Sequence, residues 1–534
     1  MNASNPPAAQ HAAPRTAEQE AAPRSDAGPG APRWMPLAAW LLSAFIVLTL
    51  TLYIDRMRWT NEEPRRAIVA QEMILTGEYF APTVFQEPYF KKPPLHNWTI
   101  ALAAGADRVV TPAEARLVSL AAFLLVGLMA MGLLRPASHR RGYVAFFVVM
   151  TMYLMLCEYG NMAEPDMLLT LLTFAAFFVY VRGPRSAPHI AASGLLVGLG
   201  ILTKGVSPLF FYPPVLLYTL IHTHDRRRRC AWLGLHALIA LLPPLAWAGI
   251  IYQKGLLPQL LAVSGSELTE KAMRSIWAFL THLLEYPLKI LLVTLPWTGL
   301  VWAAWRRAPR RDAVYWISLY AFGIALLVFT LIAGSRDRYM LPALPFLAVW
   351  VSYHFDPERR APAIVSRLLV LAAGGACIAM GVYLLQHTQP LQGALLCGIG
   401  VLAAPLAMPR YSYLKLGLVL ALLMLLFYEH GLYFYRSVYR PRAYPIARQI
   451  EMTLMRDLPV MVEPRADLIH LAVDLEGMIQ RPVYHRDLFD FPEYYLITDL
   501  EHRVPGARDL MQTFYSRRRE ADIVLQEVRE AELE

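Results

Sequence analysis

Charge is scarce in this sequence: only 17% of its 534 residues are Asp, Glu, Lys or Arg. Soluble chains carry roughly a quarter, so a large solvated surface is excluded. Cysteine is scarce too. Cys157, Cys230, Cys377 and Cys397 lie in or beside apolar runs, and no two form a CxxC pair. That excludes a disulfide framework and leaves no thiolate set with zinc spacing. What fills the sequence is apolar: 56% of the residues are hydrophobic, and the mean hydropathy is +0.37. The net charge is +9, with a pI near 9.3. A basic balance suits nucleic acid, anionic lipid or an anionic substrate. Here the arginines fall in short clusters between apolar runs, which points to membrane topology and away from nucleic acid.

A bilayer-spanning helix takes about 20 mostly apolar residues. By that measure the sequence predicts about thirteen spans, near 36–54, 116–134, 142–159, 166–182, 189–203, 206–222, 231–251, 287–305, 314–333, 339–354, 364–385, 391–408 and 412–433. The segment 189–222 is interrupted at Thr203-Lys204-Gly205 and reads as two helices meeting at a lysine turn. Residues 1–35, rich in Ala, Pro and charge, read as a disordered cytoplasmic tail with no cleavable signal pattern after it. The fold class expected is an all-α polytopic membrane protein, with its transmembrane domain over 36–433.

The loops set the orientation. Cytoplasmic loops carry excess Lys and Arg, and every second loop here is short and basic: Arg135 to Arg141, Arg182 to Arg185, Arg226 to Arg229, Arg306 to Arg311, and Arg359-Arg360. The alternate loops, 55–115, 160–165, 252–286 and 334–338, are mostly long or carry acids. This rhythm puts the N-terminus inside and the C-terminus outside. Within 55–115, Pro64 to Thr76 reads as a helix stopped by Gly77, and Leu95 to Val110 as an amphipathic stretch too short to span. Residues 434–534 are charged, with short apolar runs at Pro459–Val462, Ile469–Val473, Tyr494–Thr498 and Ile523–Leu525, and read as a small extracytoplasmic α/β domain.

Ionisable groups beside membrane spans are costly to keep, so they are usually functional. Five such clusters fall on the outer side: Asn61-Glu62-Glu63-Pro64-Arg65-Arg66, Tyr89-Phe90-Lys91-Lys92-Pro93-Pro94, Glu164-Pro165-Asp166, Thr203-Lys204-Gly205, and Arg336-Asp337-Arg338-Tyr339. Each has a plain structural reading: acids cap helices, lysines snorkel to the interface, and loop arginines need no partner. Together they suit one reaction. A sugar on a polyprenyl phosphate has an anionic leaving group, which Lys and Arg bind and stabilise as it departs. A carboxylate orients or deprotonates the acceptor. A lipid-sugar transporter or flippase is the second reading. It calls for internal repeats and paired broken helices near the midplane, and no such repeat stands out.

These stretches resemble the bacterial GT-C glycosyltransferases of the dolichyl-phosphate-mannose protein mannosyltransferase superfamily, which includes the lipid A aminoarabinose transferases. The resemblance runs over Glu62-Glu63-Pro64-Arg65-Arg66-Ala67 with Glu72-Met73, then Tyr89 to Leu95, Asp166, Lys204-Gly205, and Arg338-Tyr339-Met340-Leu341-Pro342-Ala343-Leu344-Pro345. It implies inverting transfer of a monosaccharide from an undecaprenyl-phosphate donor to lipid A, another glycolipid or a further envelope acceptor, at the periplasmic face of the inner membrane. It also implies Glu62, Glu63 and Asp166 as candidate catalytic carboxylates, with Glu62 ranked first. Arg65, Tyr89, Lys92, Lys204, Arg336 and Arg338 become the candidates for holding the donor phosphate. The family's first-loop Asp is Glu62 here, one methylene longer. In the aminoarabinose branch a Glu that helps hold a metal stands where this chain has Lys91. The sequence therefore gives no support for that divalent metal site and leaves a metal requirement open, and no other cofactor is read from it.

Overall fold

The computed structural model describes residues 32–52, 54, 59–60, 62–105, 108–269, 276–306, 311–386, 390–433, 443–463, 468–489, 491–499, 502–515 and 521–529. Most of the expected N-terminal tail, residues 1–31, lies outside the described residues.

Among the described residues, eight helices are long and apolar enough to cross a membrane. They are α1 (Trp34–Thr51), α4 (Pro112–Leu134), α7 (Ala187–Lys204), α9 (Arg226–Gln253), α11 (Ile276–Val293), α13 (Ala313–Leu331), α15 (Ala363–Gln386) and α17 (Tyr413–Phe427), the last with the turn that follows it. Two shorter apolar helices, α6 (Pro165–Tyr180) and α16 (Pro390–Leu406), accompany them. The remaining helices before residue 433 are α2 (Glu63–Thr76), α3 (Leu95–Ala104), α5 (His139–Met150), α8 (Tyr212–His222), α10 (Leu257–Thr269), α12 (Trp297–Ala303) and α14 (Leu344–His354). The chain is therefore a multi-pass membrane protein.

Several expected spans are broken where hydropathy alone shows no break. The run 142–159 is α5 followed by a π-helical turn, Leu154–Tyr159. The run 287–305 starts earlier, as α11, and breaks before Pro296, with α12 resuming at Trp297. The run 206–222 begins as a 3₁₀ turn, Ser207–Phe211, and 339–354 as another, Asp337–Ala343. Prolines explain most of these breaks, because proline lacks the N–H that continues a helix. The lysine turn is as the sequence predicts: α7 ends at Lys204, and Gly205 takes φ 62°, a left-handed value that glycine adopts without steric cost.

Hydrogen bonds gather the basic loops at one end of the bundle. Arg182 donates to the Gly132 carbonyl, Arg140 pairs with Asp356 at 3.1 Å, Arg185 with Asp225 at 3.3 Å, and Arg306 N–H donates to the His354 carbonyl. The acid-bearing loops meet at the other end.

After residue 442 the chain forms α18 (Ala443–Thr453) and α19 (Ile469–Ile479) with a five-stranded sheet. The strands are β3 (Val460–Val462), β4 (Val483–His485), β5 (Glu493–Asp499), β6 (Arg508–Tyr515) and β7 (Ala521–Arg529), after a small hairpin β1 (Thr83–Val84) and β2 (Glu87–Pro88). The sheet order is β4-β3-β5-β7-β6, with β3 parallel to β4 and β5 and the rest antiparallel. The run Ile469–Val473 is thus the start of a helix, whereas the other three apolar runs form strands. One face of this sheet and α19 share a core with the long first loop: Trp59, Ile68, Phe85 and Ile100 pack with Leu471, Leu475, Val483 and Ile497.

Candidate functional site

The first loop turns into α2 at Glu62, and Pro64 sits in the first turn, where its missing N–H costs nothing. The two neighbouring acids then have opposite environments. Glu62 has a side chain 39% exposed and pairs with Arg65. Glu63 is wholly buried. Its Oε1 accepts from Arg116 Nε at 2.9 Å and Ala163 N–H at 2.8 Å. Its Oε2 accepts from Arg116 Nη2 at 2.8 Å, Thr60 N–H at 2.7 Å and Thr60 Oγ1 at 2.8 Å. Burial alone would push this carboxyl up, but the Arg116 charge and these hydrogen bonds overturn that and hold it below the ordinary range. Both oxygens are fully engaged, so Glu63 ties α2 to α4 and to the 160–165 loop.

Asp166 is different again. It lies in the first turn of α6, 1% exposed. Its Oδ1 accepts from Lys204 Nζ, while Oδ2 is buried with no hydrogen-bond partner among the described residues. Lys204 also lies 5.2 Å over the Tyr339 ring. Two residues before Asp166, buried Glu164 lies between two arginines, Arg338 at 3.4 Å and Arg66 at 3.9 Å. Burial raises the Glu164 carboxyl, against the pull of Arg66. Burial works against the Arg338 charge, but Asp166 and Glu164 outweigh it and hold the guanidinium firmly protonated. Arg66 in turn donates to the Tyr89 hydroxyl at 3.1 Å.

A cavity of about 870 Å³ opens beside this cluster. Lys91, Lys92, Asp166, Lys204 and Arg338 stand on its wall, with Phe90, Phe177, Phe210, Phe211, Trp247, Phe329 and Phe346 among its apolar lining. A cavity of this size, mostly apolar with a few convergent polar groups, is the ordinary form of a small-molecule site. Of the residues singled out by sequence, Asp166, Lys92, Lys204 and Arg338 reach the wall, whereas Glu62, Glu63, Arg65, Tyr89 and Arg336 do not. Tyr89 belongs to the arginine network instead, and Arg336 is an exposed residue whose carbonyl accepts from the Tyr286 hydroxyl at 3.2 Å. The sequence reading gave no role to Glu164, Arg66 or Arg116. Arg116 had a visible signal, a cation at the start of a long apolar helix, which needs a partner when it is buried.

The comparisons with known proteins agree with this picture. The family model described as dolichyl-phosphate-mannose-protein mannosyltransferase matches residues 91–247, a stretch that runs from Lys91 through Asp166 and Lys204. The crystal structure of ArnT from Cupriavidus metallidurans in the apo state superposes with a TM-score of 0.70 at 19% identity, covering 92% of this chain and 98% of that one. This chain has the GT-C fold. The same enzyme bound to undecaprenyl phosphate gives a TM-score of 0.68 over 91% of this chain and 98% of that one, at 19% identity. Among curated sequences, the undecaprenyl phosphate-alpha-4-amino-4-deoxy-L-arabinose arabinosyl transferase 2 of Proteus mirabilis is 24% identical over 347 residues, 61% of this chain and 60% of the relative. The corresponding transferase of Shewanella sediminis is 27% identical over 337 residues, 57% of each. The match thus spans about three fifths of these relatives' length. Lys91 puts an ammonium where the resemblance would put a metal-holding carboxylate.

Proposed function

We propose that this protein is a glycosyltransferase that moves a monosaccharide from a polyprenyl-phosphate donor to lipid A or another glycolipid of the cell envelope. We place it in the bacterial inner membrane, with its active site on the periplasmic face. The observation that carries this reading is Asp166: a buried carboxylate with one oxygen unpartnered, on the wall of a largely apolar cavity that also presents Lys91, Lys92, Lys204 and Arg338. The apolar wall suits a prenyl tail. The cations suit a phosphate whose negative charge grows as the sugar leaves. Asp166 is proposed to take the acceptor's proton, or to orient an acceptor that is already anionic. Glu62 is proposed as a second carboxylate at the loop mouth, beside its ion-pair partner Arg65. Arg65, paired with Glu62, and Arg336 are proposed as outer contacts for the phosphate on its way in.

The reading is tested with the full chain in liposomes, supplied with a polyprenyl-phosphate sugar and lipid A, and mass spectrometry of the lipid product. A wild-type protein that transfers no sugar to any envelope glycolipid rejects it. Lys92→Met keeps much of the side-chain stem and removes the charge. A hydrogen bond to a charged group is worth roughly 1.5–3 kcal/mol, so the donor KM is expected to rise about 10- to 100-fold. An unchanged KM would remove Lys92 from the phosphate site.

The orientation has its own test. Impermeant thiol reagent applied from the periplasmic side is expected to label Arg503→Cys and to leave Arg228→Cys unlabelled. The reverse pattern would turn the protein over and place the cavity mouth in the cytoplasm.

A further inference from the structure

The residues that bring Lys91 and Lys92 to the cavity are themselves held from outside the membrane domain. Lys91 and Lys92 follow directly on the β1–β2 hairpin, whose base is closed by the Tyr89 N–H on the Pro82 carbonyl at 2.7 Å. The two residues at the hairpin tip, Phe85 and Gln86, take φ values of 57° and 63°. Two successive left-handed residues make a type I′ turn, which ordinarily uses Asn-Gly. Neither Phe nor Gln favours that conformation, so this tip needs something to hold it.

Glu72 on α2 provides the hold from one side. Its Oε1 accepts from the Phe85 N–H at 2.6 Å. Its Oε2 accepts from the Gln86 N–H at 3.2 Å and from Gln86 Nε2 at 2.8 Å, and from the Thr83 hydroxyl. The C-terminal domain provides the hold from the other side. The His485 N–H of β4 donates to the Phe85 carbonyl at 3.1 Å, and the Phe85 ring is buried in the core shared with Leu475 and Val483. Glu476 on α19 fixes the start of β4 by accepting from the Val483 N–H at 2.8 Å. The Phe85 N–H and carbonyl, and the Gln86 N–H and side-chain amide nitrogen, are thus engaged by α2 or by β4.

We infer that Glu72 and the C-terminal α/β domain together form a clamp that positions the donor-binding lysines, with Glu72 as its positioning residue. The inference rests on the proposed reading of the cavity as a prenyl-phosphate site. Gln86 and Lys92 are six residues apart, a reach of at most roughly 20 Å at about 3.3 Å per residue. The clamp is inferred to act on the lysines through the short hairpin that joins the tip to them. Phe90, the residue between, packs against Trp247 at a ring distance of 6.4 Å on the cavity wall. The C-terminal domain, whose described residues include none on that wall, thereby acts on it through backbone geometry.

The experiment compares wild type, Glu72→Ala and the double variant Glu72→Ala/Gln86→Gly as full-length protein in nanodiscs. Two readouts are taken: the Kd for undecaprenyl phosphate, and hydrogen exchange over residues 83–92. Glu72→Ala is expected to weaken binding about 10-fold and to speed exchange in this segment. Adding Gln86→Gly relieves one of the two left-handed positions, because glycine takes that conformation unaided, while Phe85 keeps its hydrogen bond to His485. It should restore part of the affinity and slow the exchange again. A role for Glu72 in the packing of α2 alone would not be rescued by a change in the turn. Binding unchanged in Glu72→Ala, or a loss that Gln86→Gly leaves in place, overturns the clamp while the donor site stands. A wild-type protein that does not bind undecaprenyl phosphate rejects the donor site, and the clamp's role with it.

Discussion

Asp166→Asn is expected to slow single-turnover sugar transfer by about 10²–10⁴, the usual cost of removing a general base, while the protein remains folded in its membrane. Asn keeps an oxygen for Lys204 and replaces the unpartnered Oδ2 by an amide that cannot take a proton. The electrostatics affect steady-state turnover separately. Asp166 is one of the two carboxylates that set the charge balance of Arg338, and it is the ion-pair partner of Lys204. Neutralising it leaves those cations free to hold the departing phosphate too tightly, so product release should slow as well. Glu62→Gln is expected to cost less, because Glu62 is half-exposed, paired with Arg65 and away from the cavity wall. The acceptor modifies the size of both effects. A hydroxyl needs deprotonation, and its transfer should show the full loss. A phosphate is already anionic, and its transfer should show a smaller one. Near-wild-type rates in Asp166→Asn beside a dead Glu62→Gln would return the reacting carboxylate to Glu62.

The ranking of these two acids shows what sequence carries and what it does not. Composition and loop charge show a membrane bundle with ionisable groups gathered at one end, because apolar length and Arg clusters are local properties. The Lys204-Gly205 turn was legible for the same reason: a glycine after a charged residue in an apolar run has few other readings. Burial is not local. Glu62 and Glu63 are adjacent and chemically alike, yet Arg116, which decides that Glu63 is buried and engaged, lies 53 residues away. Glu164 presents the same difficulty, since its partner Arg338 is 174 residues on. The short apolar run Ile469–Val473 opens a helix, whose apolar face packs on α2 and the sheet, a context that five residues of sequence do not show. The clamp on Phe85 and Gln86 ran against local preference altogether. A sequence rule expects Gly or Asn in such a turn, so the hairpin shows only once its supports are in place.

Glu63→Gln and Arg116→Met are expected to lower folded yield and thermal stability sharply, with little change in the rate of the molecules that do fold. Removing one partner of a buried ion pair typically costs about 3–5 kcal/mol, because the other charge is left in a medium that cannot solvate it. Here the geometry makes that cost severe. Both side chains are wholly inaccessible, Arg116 also donates to the Ile54 carbonyl at 2.7 Å, and Glu63 takes the Ala163 N–H that precedes Glu164 and Asp166. Losing the pair therefore loosens the entry to α2 and the approach to α6 together. The double variant Glu63→Gln/Arg116→Met removes both charges and should recover part of the stability, as coupled neighbours do in a mutant cycle. Melting in detergent measures the first effect, and single-turnover rate per folded molecule measures the second. A Glu63→Gln protein that melts like wild type and transfers no sugar would contradict the structural role, and would make Glu63 the reacting carboxylate despite its five hydrogen bonds. A double variant no more stable than the worse single one would show that the Ala163 and Ile54 contacts, more than the charge pair, hold the loop to the bundle.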